Sequence, residues 1–353
     1  MVEKHSERRK GKRVKSERTV APSSSNNDLD GLFEIYYNAS FAGGRAKRTL
    51  EKYRLIYGNL CKYLDGHGVG RDTRNIDVDL IRDYVGWLLR DYIQFEDHKF
   101  KKDEDKKKGL SPRTTNDYLK TLRTFFRFLA EEEKIPVNPF EAVHNVKYTD
   151  TEIVVLTAEE LKRLLDAPDK RSYTGFRDYV VMTLLIDTMT RINEALSLKI
   201  PHIDFSNNTV TIRATIAKSR KARIIPIQKQ TAKLLKDLIK ETEEFDSEFI
   251  FLANYGEVLT PNNFRNQLRR HYIKKAGIKK RVHPHLFRHT AATLFLEAGG
   301  DIRHLQLLLG HSDLRMVMRY THLSNRALKE QHDKYSALNQ VTGKLNQNRK
   351  TKR

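Results

Sequence analysis

The sequence predicts a mainly α protein with a small antiparallel β-sheet, divided into a helical first domain and a mixed α/β second domain. Three observations carry this. Apolar residues recur three and four apart through most of the chain, which is the helical period. One stretch, "NTVTIRATIAKSRKARIIPI", alternates instead and is rich in Ile, Thr and Val, which predicts a β-hairpin. Between the two helical blocks lies "IPVNPFEAVHNVKYTDTEIVV", with two prolines and little helical pattern, which reads as a linker. A length of 353 residues is enough for two domains of ordinary size.

Taken in order, residues 1–28 are basic, then rich in Ser and Asn, and lack an apolar period, so they read as a disordered arm. Residues 29–135 form the helical domain. "LDGLFEIYYNAS", "RTLEKYRLIYGNLCKYLDGHG", "DVDLIRDYVGWLLRDYI" and "SPRTTNDYLKTLRTFFRFLAEEEK" all carry the helical spacing. Ser111 offers an N-cap with Pro112 in the first turn of the last of these. "EDHKFKKDEDKKKG" is charged and aperiodic, an exposed loop. Residues 136–155 are the linker and 156–330 the mixed domain. In "LTAEELKRLLDA", Thr157 and Glu160 have capping-box spacing. "GFRDYVVMTLLIDTMT" is mostly apolar and predicts a buried helix. "PHIDF" adds a short strand to the hairpin. Helices return at "QTAKLLKDLIKETEEF", "PNNFRNQLRRHYIKKAG", "LFRHTAATLFLEAG", "DIRHLQLLLG" and "DLRMVMRYTHL", two of them stopped by Gly299–Gly300 and Gly310. Residues 331–353 form a C-terminal tail with one apolar cluster, Tyr335 to Val341, and a basic end.

The formal net charge is +21, an excess that points first to nucleic acid as partner and second to an anionic membrane. No apolar run approaches the roughly 18 residues that span a bilayer, and the N-terminus lacks the apolar stretch of a secretory signal. The lone cysteine, Cys61, excludes an intramolecular disulfide and a cysteine-based zinc site, and reads as a small core residue in a reducing compartment.

Four stretches of the second domain concentrate chemistry-bearing residues. "TRINEALSL" sets Arg191 at the end of an apolar helix, with Glu194 one turn on. "AKSRKAR" sets Lys218 at the hairpin tip, in a basic cluster where Lys221 competes for any role. "HPHLFRH" puts His283, His285, Arg288 and His289 within seven residues. His285 and Arg288, three apart, share a helix face. "LLGHSDLRMVMRYTH" gives His311 after a helix-stopping glycine, then Tyr320. His285 and His289 have metal-ligand spacing, but no acidic residue or cysteine in the stretch completes a site and Arg288 between them repels a cation. His289 is expected to make a buried structural hydrogen bond.

In this order the residues resemble the phage integrase family of tyrosine recombinases. That family's pattern is T-G-x-R-x-x-E-x-x-x-L, a lysine in a β-hairpin, H-x-x-R, L-G-H and then Tyr. The likeness extends from the helical domain, which resembles a core-binding domain, to the end of the mixed domain. Met189 stands where the family commonly has glycine, and Phe287 replaces a common leucine. The resemblance implies a helical core-binding domain and a mixed α/β catalytic domain of tyrosine recombinase type. It implies catalytic roles for Arg191, Lys218, His285, Arg288, His311 and Tyr320, with Glu194 orienting the basic residues. It also implies double-stranded DNA with core recombination sites as partner, a homotetramer on that DNA, a Holliday junction and a directionality factor as accessory, with no cofactor and no metal. The location it implies is cytoplasmic, bacterial or phage-borne, at the nucleoid.

These residue types suit phosphodiester chemistry. Charge grows on the phosphoryl oxygens as a nucleophile attacks, and two guanidiniums present forked donors to them. Tyr320 would form a 3′-phosphotyrosyl ester, and since a free tyrosine titrates near pH 10, His285 is the expected proton acceptor. Lys218 is the expected acid for the leaving 5′-hydroxyl, and His311 completes the phosphate's hydrogen-bond shell.

Phosphate contacts from both domains are expected to clamp a duplex. Candidates are Arg45, Lys47, Arg48, Arg113, Thr114 and Thr115 in the first domain, and Arg265, Arg269 and Arg270 in the second. The basic arm serves equally as a solvated tail. Two rivals share these features: a type IB topoisomerase, and a DNA-binding regulator with an inactive site. The target sequence, and whether the reaction is integration, excision, transposition or dimer resolution, are not written in the chain.

Overall fold

The computed structural model describes residues 27–94, 96, 106–149, 154–217, 221–318 and 320. Most of the basic arm, Lys218 at the hairpin tip, and the tail with Tyr335 to Val341 lie outside the described residues. The chain divides into two compact units, Met1–Asp150 and Thr151–Arg353.

The first unit packs α1 (Leu29–Ala42), α2 (Lys47–Gly66), α3 (Val78–Arg90) and α4 (Pro112–Glu131). Each start that carries a capping side chain follows from sequence. Asp28 accepts from the Gly31 amide at 2.9 Å, Asp77 from Leu80 at 2.8 Å, and Ser111 from Thr114 with Pro112 in the first turn. Side chains three and four apart then face inward: on α4 these are Thr115, Tyr118, Leu119, Leu122, Phe125, Phe126 and Leu129. The core is aromatic, with Phe33 stacked on Tyr57 at 3.9 Å and Phe125 edge-on to both, and Cys61 is buried within it. The stretch read as a linker begins inside this core. Asn138 caps a short turn at Pro139–Ala142, Phe140 is fully buried, and Arg123 donates to the carbonyls of Phe140 and Val143. Proline-rich sequence concealed that packing because it lacks a helical period.

The second unit contains α5 (Ala158–Asp166), α6 (Tyr173–Thr188), α7 (Ile192–Leu196), β1 (Ile203–Asp204), β2 (Thr209–Ile212), β3 (Arg223–Pro226), α8 (Lys229–Glu241), α9 (Pro261–Gln267), α10 (Ile273–Lys275), α11 (Pro284–Glu297), α12 (Ile302–Leu309) and α13 (Arg315–Met318). Thr157 and Glu160 form the expected capping box on α5. The three strands lie in the order β1-β2-β3, antiparallel, with Val210 opposite both Ile203 and Ile225. Strands β2 and β3 are shorter than the alternating pattern, four residues each, and Arg223 pairs with Ile212 at the loop end of the hairpin. Between α9 and α10 the chain makes one wide turn, Leu268–Tyr272, with i→i+5 spacing. Helix α6 is central: its apolar surface meets α8 and α11, and its buried Asp178 accepts from Arg177 and from the Tyr272 hydroxyl. Among the described residues no helix is long and apolar enough to cross a membrane.

Candidate active site

The site is built where α6 stops. Thr188 bonds back to the Leu184 carbonyl, and Met189 turns the chain through a left-handed conformation, φ 52° and ψ 25°. This reversal sets Arg191 at the N-terminal edge of α7. Glu194, one turn on, reaches back to the Arg191 amide at 3.2 Å and to its guanidinium at 2.9 Å. The carboxylate is 1% exposed and takes a second guanidinium, that of Arg223, at 2.6 Å. Burial alone would raise the Glu194 pKa, but the hydrogen bond and charge of Arg223, together with Arg191, outweigh it and hold the carboxyl below its usual range.

Helix α11 supplies the second arginine. His283 caps it, its ring accepting from the Leu286 amide at 3.1 Å, and His285 lies exposed on the first turn. Arg288, three residues further, is 4% exposed and ties three elements together. It donates to the Met189 carbonyl at 2.7 Å, to the Leu309 carbonyl at 2.7 Å and to Nε2 of His311 at 2.8 Å. A guanidinium only donates, so Nε2 of His311 is the acceptor here. Burial pushes the Arg288 pKa down to about 10, Arg191 pushes the same way, and Glu194 opposes them. The group therefore stays cationic at neutral pH. Gly310, at φ 61°, ends α12 and turns the chain so that His311 follows directly.

Tyr320 lies after α13 and is 1% exposed, against Met189, Ala291, Ala292, Leu305, Leu309 and Val317. Its hydroxyl shares a 2.8 Å hydrogen bond with Nδ1 of His289. The expected structural bond of His289 thus falls on the tyrosine itself.

The structure gathers Arg191, Glu194, Arg288, His311 and Tyr320 around the ends of α6 and α12, and places His285 on the exposed start of α11. Lys218 lies outside the described residues. Two members were missed in the sequence. His289 was read as a structural neighbour, and Arg223 only as part of the basic hairpin. A usable signal existed for Arg223, because period two puts it on the face of buried Ile225.

Residues 154–326 match the phage integrase family, and residues 32–148 match the phage integrase SAM-like domain. The tyrosine recombinase XerD of Listeria innocua serovar 6a is 31% identical over 236 residues, covering 65% of this chain and 78% of that protein. The tyrosine recombinase XerC of Chlamydia trachomatis serovar L2 is 33% identical over 227 residues, 63% of this chain and 71% of that protein.

The chain belongs to the tyrosine recombinase family.

It is accordingly an enzyme of site-specific DNA recombination. The recombinase shares its fold with the Tn1549 transposon integrase in complex with circular intermediate DNA, at TM-score 0.65 and 19% identity over 85% of this chain and 99% of that one. The lambda integrase dimer bound to a core site gives TM-score 0.64 at 18% identity, over 86% of this chain and 80% of that one.

The recombinase exposes Arg45, Lys47 and Arg48 at the start of α2, and Arg113 and Thr114 at the start of α4. Thr115 does not belong with them: it is fully buried, because its position one turn before Tyr118 and Leu119 puts it on the core face of α4. Lys120, Arg127 and Tyr148 share a groove with Arg113 and were not singled out. In the second unit Arg265, Arg269 and Arg270 are all exposed. The wide turn lets Phe264, Leu268 and Tyr272 face inward while the arginines face out.

Proposed function

We propose that this recombinase cuts and rejoins DNA through Tyr320. The reading is carried by one observation: the Arg191–Glu194 pair, Arg288 with His311, and the buried Tyr320 come together where α6 and α12 end. Arg191 and Arg288 would bind the non-bridging oxygens of the scissile phosphate and offset the charge that grows there. The Tyr320 oxygen attacks phosphorus, its proton passing to a histidine, for which His285 is the family's candidate. The bond to the 5′-oxygen breaks, Lys218 protonates that oxygen, and a 3′-phosphotyrosyl ester remains. Attack by a 5′-hydroxyl from the partner strand reverses the step, gives a Holliday junction and needs no ATP or metal.

Tyr320 is closed off here and must be uncovered on DNA. Arg288 would exchange its bond to His311 for one to phosphate, and His311 would then turn its ring to donate. We place Arg45, Lys47, Arg48, Arg113, Thr114, Arg265, Arg269 and Arg270 on the DNA backbone, so that affinity falls steeply with salt. Four protomers on two core sites would exchange tails around Tyr335 to Val341, and a directionality factor would bias the outcome. The working location is the bacterial cytoplasm, at the nucleoid.

The test begins with duplexes selected by the protein from a random-sequence library. Two copies of the recovered site in one supercoiled plasmid should recombine in the presence of EDTA. Relaxation without site preference, and without exchange between sites, would favour a topoisomerase instead.

A further inference from the structure

We propose that Arg223 is a positioning residue of the catalytic centre, holding Glu194 against Arg191 and fixing the turn that presents His311. The proposal rests on the reading of the site given under Proposed function.

Arg223 opens β3, five residues after Lys218, and its side chain is 10% exposed. Nη2 donates to Glu194 Oε2 at 2.6 Å, and Nε donates to the Leu308 carbonyl at 3.2 Å. The guanidinium also lies against Gly310: a methyl there would come within 3.1–3.2 Å of Nη1, Cδ and Cζ. Glycine is thus favoured on two counts at position 310, for its positive φ and for this close approach.

Two consequences follow from these contacts. The first runs through Glu194. Its oxygens bridge Arg223 on one side and both the amide and the guanidinium of Arg191 on the other. A buried carboxylate between two arginines is fixed in direction only while both hold it. Without Arg223 it can rotate, and Arg191 loses the anchor that sets its fork. The second runs through α12. The last carbonyls of a helix lack partners within the helix. Here Leu308 receives Arg223, and its neighbour Leu309 receives Arg288. Two guanidiniums therefore hold the helix end from which Gly310 and His311 emerge. The hairpin that carries Lys218 is tied by Arg223 to the elements that carry Arg191 and His311. A lysine would keep the charge but not the planar fork that reaches a carboxylate and a carbonyl at once.

A purely structural ion pair predicts loss of stability only. The separating experiment is single-turnover cleavage of a nicked duplex built on the selected site, at saturating protein, beside DNA affinity and thermal stability. Arg223→Gln should bind DNA within about threefold of the original and cleave on the order of tenfold to a hundredfold more slowly, the range of a lost charge-assisted hydrogen bond. Arg223→Lys, which keeps the charge should the first variant fold poorly, should recover part of that rate. Glu194→Gln combined with Arg223→Gln should cleave faster than the product of the two single losses predicts, because part of the Arg223 effect runs through Glu194 and the rest through the end of α12. Cleavage by folded Arg223→Lys and Arg223→Gln at the original rate would overturn the proposal. So would rate losses that multiply in the double variant. Absence of cleavage by the unaltered protein would instead overturn the reading of the site.

Discussion

Replacing Met189 by glycine and, separately, by alanine should invert the usual stability order of those two residues. Met189 sits at φ 52°, where an L side chain is held against its preference by about 1–2 kcal/mol. Its side chain is buried beside Leu305, Leu309 and Tyr320, and its carbonyl receives Arg288. Either substitution removes the buried thioether and should destabilise by about 2–5 kcal/mol. Alanine keeps the strain and glycine releases it. At an ordinary helical site glycine is worse than alanine by about 0.5–1 kcal/mol. At this one it should be better by about 1 kcal/mol. For a domain of this size that difference is roughly 2–4 °C in Tm. Calorimetric melting of the two variants reads it directly. An alanine variant as stable as the glycine variant, or more so, would refute the argument that the left-handed geometry at position 189 favours glycine.

Glu194→Gln removes the buried charge that pairs with two guanidiniums and should lower stability by about 3 kcal/mol in urea titration. Because the Glu194 pKa is depressed in the folded state, its contribution is full above the unfolded value near 4.3 and is lost as pH falls below it. The Gln variant should therefore show a flatter acid limb, and an unchanged limb would count against the pairing. His289→Leu takes one partner from the buried Tyr320 hydroxyl and should cost about 1–2 kcal/mol. Combined with Tyr320→Phe, the two losses should fall short of additivity by about 1 kcal/mol, and full additivity would mean the bond contributes nothing.

What the sequence disclosed was mostly local. Ser111, Thr157 and Glu160 announce helix starts because a cap is satisfied within four residues. The hairpin register follows from alternation, since a slip by one would expose Val210 and Ile225. The catalytic candidates were legible through resemblance, by their types and order. What escaped depended on distant elements. Arg223 lies beside exposed Ile224 and close to Lys221, so the sequence marks it only as one of a basic cluster around Lys218. Only the arrival of α12 and Glu194 buries it. His289 meets Tyr320 because α12 and α13 bring the chain back over α11, a path that no short motif encodes. Thr115 shows the opposite error: the period of α4 placed it in the core, and its polar type was given too much weight.

The central claim is that Tyr320 becomes joined to DNA. A nicked duplex carrying the selected site would be trapped with the full chain, digested with protease and nuclease, and the modified peptide sequenced by mass spectrometry. The account predicts a nucleotide remnant on Tyr320 and no covalent complex from Tyr320→Phe, which still binds the duplex. A remnant on another residue, or a complex that survives Tyr320→Phe, would contradict it.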